Sequence, residues 1–186
     1  FAALCCALLL APTTPAQADP PTPPPAPADA EPPQKLDAWP ELEAADKDRL
    51  LPLVGQLKKA DPELRAAAAK DLEAIGAAGV PLLFQQVSDR TGNVNDQLFA
   101  LFDVVLDRQH AALMARECKK PRVELRRYLI RRLCTFADKD VLPVLQATTK
   151  DKDESTAFYA QLGVFALRQR EGIAPVLAYT KTHWKE

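Results

Sequence analysis

The chain has 186 residues, and its 24 lysines and arginines nearly balance its 25 aspartates and glutamates, for a formal net charge of −1. That balance excludes the basic excess of a general nucleic-acid or membrane-surface binder. The hydrophobic fraction of 47% is enough for one folded domain, whereas two histidines and two serines leave little material for catalysis.

Phe1 to Ala11 is apolar, with Leu4, Leu8, Leu9 and Leu10, and is followed by Pro12, Pro15 and Ala16-Gln17-Ala18. An apolar core followed by small residues at −3 and −1 is the pattern of a secretory signal peptide, so residues 1–18 are expected to be a leader cleaved after Ala18. The run is far short of the roughly 20 residues needed for a membrane span. The protein is therefore expected to be exported, either periplasmic or secreted, with no membrane span. Residues 19–40 are dense in proline and alanine, with Pro20, Pro21, Pro23, Pro24 and Pro25 in close succession. Each proline fixes φ and removes a backbone donor, so this stretch is expected to be a disordered, extended tether of about 3.1 Å per residue.

Residues 41–186 are expected to form the folded domain. A short apolar phrase recurs there: Leu51-Pro52-Leu53-Val54, Val80-Pro81-Leu82-Leu83, Leu142-Pro143-Val144-Leu145 and Ala174-Pro175-Val176-Leu177. A copy without proline, Ala111-Ala112-Leu113-Met114, falls in the one gap, so the copies are about 30 residues apart. A fixed period in that range signals a solenoid of one supersecondary unit. In the clearest unit, Asp61 or Pro62 opens a helix with Leu64, Ala67, Ala68, Leu72 and Ile75 at helical spacing. Gly76 and Gly79 bracket a tight link, and Val80-Pro81 starts a second helix with Leu83, Phe84 and Val87 on its stripe. The proline phrase is expected to mark the first turn of each second helix, and those helices to line the inner face. The expected units are 41–60 (partial), 61–92, 93–120, 121–151 and 152–186. No alternating strand pattern competes, so the domain is expected to be all-α.

The phrase Asp61-Pro62-Glu63-Leu64-Arg65-Ala66-Ala67-Ala68, with Leu72, Ile75-Gly76 and Val80-Pro81-Leu82-Leu83, resembles a HEAT-like repeat of the short bacterial kind also found in bilin lyases. Glu124-Leu125-Arg126, Leu133, Phe136 and Val141-Leu142-Pro143 repeat the theme. The resemblance implies a right-handed α-solenoid of stacked antiparallel helix pairs. It implies little about function, because such repeats host many roles. The leading expectation is a non-catalytic scaffold that binds a protein partner along its inner face. A bilin-lyase-like enzyme or chaperone, and a nucleic-acid binder like the HEAT-like DNA glycosylases, are the alternatives.

Candidate partner-binding residues are Gln85, Gln86, Arg116, Gln146 and Tyr179 on second helices, together with Lys119, Lys120, Arg127 and Arg131 from a basic run. On a helix at about 100° per residue, Arg127 and Arg131 share an exposed face with Glu124, while Arg126 falls beside Ile130 and Leu133. Arg126 occupies the place of Arg65 in the first unit, and both are expected to cross the joint between repeats with their heads paired. No catalytic, metal or cofactor site is expected. His110 and His183 lack ligand spacing, the glycines form no phosphate loop, and Asp138, Asp140, Asp151, Asp153 and Glu154 fall where helix caps belong. Cys118 and Cys134 should lie roughly 20 Å apart along antiparallel helices, so they are expected to stay unbridged, with Cys134 buried. Trp39 and Trp184 are expected to cover the two end units, where self-association is the other role open to them.

Overall fold

A computed structural model describes residues 35–90, 94–136, 138–167 and 173–183. The expected leader, the proline-rich stretch up to Gln34, and Trp184 lie outside the described residues. The described residues are all-helical with no strand, and none of their helices is long and apolar enough to cross a membrane.

The helices are α1 (Ala44–Leu57), α2 (Pro62–Ile75), α3 (Val80–Phe84), α4 (Val94–Val105), α5 (Ala111–Glu117), α6 (Val123–Phe136), α7 (Leu142–Thr148), α8 (Glu154–Ala166) and α9 (Ile173–His183). Short 3₁₀ turns at Gly76–Gly79, Arg108–His110 and Lys139–Val141 lead into α3, α5 and α7. Three times, then, a helix of 12 to 14 residues is followed by a 3₁₀ turn and a helix of five to seven.

Local chemistry explains the starts and stops. The Asp61 side chain accepts from the Glu63 and Leu64 amides at 2.8 and 3.4 Å, and Pro62 supplies the first position of α2. The helix ends at Gly76, whose φ of +67° is the left-handed conformation that favours glycine. Asp107 and Asp138 cap the next two 3₁₀ turns by accepting from the Gln109 and Asp140 amides. Pro81 and Pro143 sit in the first turns of α3 and α7, and Pro175 is the third residue of α9.

Pro52 departs from that pattern. It lies inside α1, eight residues beyond its start, and breaks one intrahelical hydrogen bond. Leu50, Leu53, Val54 and Leu57 are all buried at helical spacing, and that burial, at roughly 1.5–3 kcal/mol per large aliphatic side chain, outweighs the lost bond.

The core runs without interruption from α1 to α8. Phe84, Phe102, Tyr128 and Phe99 form its aromatic centre: Phe84 meets Phe102 edge-on at 5.0 Å, and Phe99 stacks on Tyr128 at 4.6 Å. Helix α6 packs on α5 and α8, and α7 packs on α8. Gly163 permits the close approach of α8, since a Cβ there would collide with Cys134 Sγ and come within 2.9 Å of Leu145 Cδ1. Helix α9 buries no residue and leaves Leu177 64% exposed.

The stretch expected to end the tether behaves differently. Residues 35–40 lack regular structure, yet they lie against the helices. The Leu36 amide donates to the Gln109 carbonyl at 3.0 Å. Trp39 stacks on the His110 ring at 5.7 Å and meets Phe84 edge-on at 5.8 Å. Instead of covering an end unit, Trp39 covers Phe84 and His110, because α3 is only five residues long and has little surface of its own to shield them. We refer to Lys35–Trp39 as the strap.

Candidate functional site

The cations of this region include two distinct groups. In the first group, guanidinium groups bind the structure itself. Arg122 donates to the Phe84 and Val87 carbonyls at 2.8 and 3.3 Å, and Arg132 to the Asp103 and Leu106 carbonyls at 2.9 and 2.8 Å. These carbonyls close α3 and α4, where helix ends leave acceptors unsatisfied and favour positive charge. Arg126 forms a two-pronged pair with Asp151, at 2.6 and 3.0 Å, and donates to the Lys120 carbonyl at 3.2 Å. Arg127 pairs in the same way with Asp153, at 2.9 and 3.3 Å, and with Glu124 at 2.9 Å. The hydrogen bond from Arg127 pulls the Asp153 carboxyl down to about 2, and Arg126 holds Asp151 below its ordinary value.

The second group surrounds a groove of about 560 Å³ between α5 and α7. Its apolar floor includes Ala115, Pro143, Val144 and Ala147. Arg116, Lys119 and Lys150 stand around it, and all three are exposed. None of them pairs with a carboxylate among the described residues; Arg116 donates instead to the backbone carbonyl of Asp37 in the strap, at 2.8 Å. The carboxylates nearby are already committed: Asp151 to Arg126, and Asp140 to Lys35. Lys35 also pairs with Asp138 at 3.1 Å, and Arg108 approaches Asp138 at 3.6 Å. Burial opposes ionisation of Asp138, yet the Asp140 amide and Lys35 hold its carboxyl below the ordinary value.

The one thiol in the lining, Cys118, is pushed up to about 12 by burial, so it is not a nucleophile at neutral pH. No cluster of potential metal ligands occurs among the described residues. Cys118 and Cys134 are both free thiols. Cys134 is only half-buried, and its Sγ donates to the Tyr159 carbonyl at 3.2 Å.

Of the residues expected to meet a partner, Arg116 and Lys119 come together in the groove, with Lys120 beside them and paired to Glu117 at 2.6 Å. The others are dispersed. Gln85 and Gln86 follow the end of α3, Gln146 is exposed on α7, and Tyr179 stacks between Phe158 and His183 on α9. Arg131 is exposed, with its guanidinium 5.2 Å from the Tyr159 ring centre, and lines a separate depression between α4 and α6. Arg127, expected on an open face, is held by two acids. Sequence reasoning missed Lys150, Pro143 and Ala147 as groove residues; the signal available was the proline phrase itself, whose third full copy supplies the floor. The chain matches no protein-family model, no curated protein and no solved structure.

Proposed function

We propose that the protein is an exported, non-catalytic scaffold: a right-handed α-solenoid of HEAT-like repeats that holds a protein partner along its second helices, with the α5–α7 groove as the main contact. The groove carries this reading. It combines an apolar floor with three cations that lack carboxylate partners among the described residues, and burial keeps its one thiol protonated at neutral pH. The repeat interpretation is supported by two equivalent arginines. Arg65 donates to the Lys59 carbonyl and Arg126 to the Lys120 carbonyl, each six residues back, so the two units share a detail beyond their apolar pattern. The recurring order of long helix, 3₁₀ turn and short helix supports it too. A nucleic-acid role is disfavoured because Arg126 and Arg127 are neutralised by Asp151 and Asp153, leaving no continuous basic stripe.

A photo-crosslinking amino acid at Ala147 in the full chain tests the reading. The expected result is one dominant crosslinked polypeptide, absent when the same group replaces Lys70 on α2. Equal crosslinking from both positions overturns the groove as the contact. Export is tested by intact mass, with a recovered chain beginning at Asp19 as the expected result.

A further inference from the structure

Resting on the reading of the groove as a docking surface, we infer that its partner presents an extended segment with an aliphatic centre flanked by carboxylates, and that the strap sets the groove's preference for that charge. The charge of the groove follows from its pairs. Asp151 is neutralised by Arg126, and Asp140 is neutralised by Lys35, which belongs to the strap. What remains is Arg116, Lys119 and Lys150, three positive charges around a floor of Pro143, Val144 and Ala147. An aliphatic side chain fills such a floor, and carboxylates on either side of it complete the three cations.

Of the polar links that the strap makes, two end on groove residues, while the Leu36 amide and the second contact of Lys35 end on Gln109 and Asp138 beside the groove. The Asp37 carbonyl holds the Arg116 guanidinium, and Lys35 cancels Asp140. When the strap is removed, the negative charge of Asp140 is left uncompensated at the rim and Arg116 loses its anchor. Strap docking and acidic-segment binding therefore favour one another, and linkage requires the effect to be reciprocal.

The test uses the full chain and three fluorescein-labelled heptapeptides. All share a Val-Leu-Val centre, and two glutamates, two glutamines or two lysines lie on each side. Three exposed ion pairs give a preference for the glutamate peptide over the glutamine peptide of about tenfold, and no measurable binding of the lysine peptide. The double variant Lys119→Glu/Lys150→Glu is expected to lose the glutamate peptide and gain the lysine peptide, with an unchanged far-UV circular dichroism spectrum. Lys35→Ala is expected to weaken the glutamate peptide about threefold and leave the glutamine peptide unchanged. Equal binding of the glutamate and glutamine peptides overturns the charge preference while the docking surface stands. Failure of all three peptides to bind removes the docking surface, and the inference with it. Equal weakening of both peptides by Lys35→Ala, or none, overturns the role of the strap.

Discussion

Two joints that draw on the same basic run end in opposite states. Between α6 and α8, Arg126 and Arg127 meet Asp151 and Asp153 and are saturated. Between α5 and α7, Arg116, Lys119 and Lys150 surround an apolar floor with no carboxylate partner among the described residues. The difference shows that a run of positive charge has no single meaning along a helical chain. Whether an arginine is architecture or surface depends on where the following helices place their acids. At the first joint the acids sit at the start of α8, where Asp153 also accepts from the Thr156 amide at 2.8 Å. At the second, the two acids in the lining are already taken, Asp151 by Arg126 and Asp140 by the strap.

The largest effect expected from breaking this contrast lies at Arg126. Arg126→Met keeps the aliphatic stem but leaves Asp151, whose side chain is only 12% exposed, without its partner. Removing one member of a largely buried pair costs about 3 kcal/mol. Lys119→Met, at an exposed and unpaired position, is expected to change stability by no more than about 0.5 kcal/mol. Urea midpoints of the two variants measure the difference, and equal shifts would mean that the saturated joint is no more structural than the open one.

A smaller effect, about 2 kcal/mol, is expected from pH at the same joint. The Asp153 carboxyl is lowered to about 2 in the folded chain, chiefly by the hydrogen bond from Arg127. A depressed folded value means that the unfolded chain binds the proton more tightly. The stabilisation is thus fully present above the unfolded value of about 4 and is lost as pH falls through about 2. The stability gap between the wild-type chain and Asp153→Asn should narrow over that window, as followed by urea titrations at several pH values. A gap that stays constant from pH 7 to pH 2 would show that the Arg127 pair does not depress this carboxyl.

Much of the fold could be read from local pattern. Asp61-Pro62 at one end of α2 and Gly76 at the other are short-range signals, and the structure uses each of them as expected. The shared place of Arg65 and Arg126 was also legible, because helical spacing puts both beside the buried stripe. Contacts between units were not. Arg122 reaches carbonyls 35 and 38 residues back, and Arg132 reaches carbonyls 26 and 29 back. Periodicity reports which face of a helix is apolar, not how far one unit slides along the next. That slide decides which arginine meets a helix end. The strap was hidden for a related reason: proline density argues against helix, but an extended chain can still lie against one. Lys35 finds its acids 103 and 105 residues away, a pairing that no local signal announces.

The smallest effect sharpens the contrast between two arginines that make the same backward contact. Arg65 matches Arg126 in reaching back to the preceding link, with bonds of 2.9 and 2.6 Å to the Lys59 and Ala60 carbonyls. It has no acid like Asp151 among the described residues. Arg65→Met therefore removes hydrogen bonds to carbonyls that water can replace at a half-exposed site, and strands no buried charge. The stem still lines the depression between α2 and α4 that Ala69 and Leu101 share. The expected loss is about 1 kcal/mol, roughly a third of that for Arg126→Met. The urea midpoint should fall with an unchanged slope, since the surface exposed on unfolding is the same. If Arg65→Met costs as much as Arg126→Met, the reach-back bond common to both units carries the joint, and the acid of the following unit adds nothing. If the threefold difference holds, the acid is what turns a repeated arginine from a helix-end contact into a lock between units.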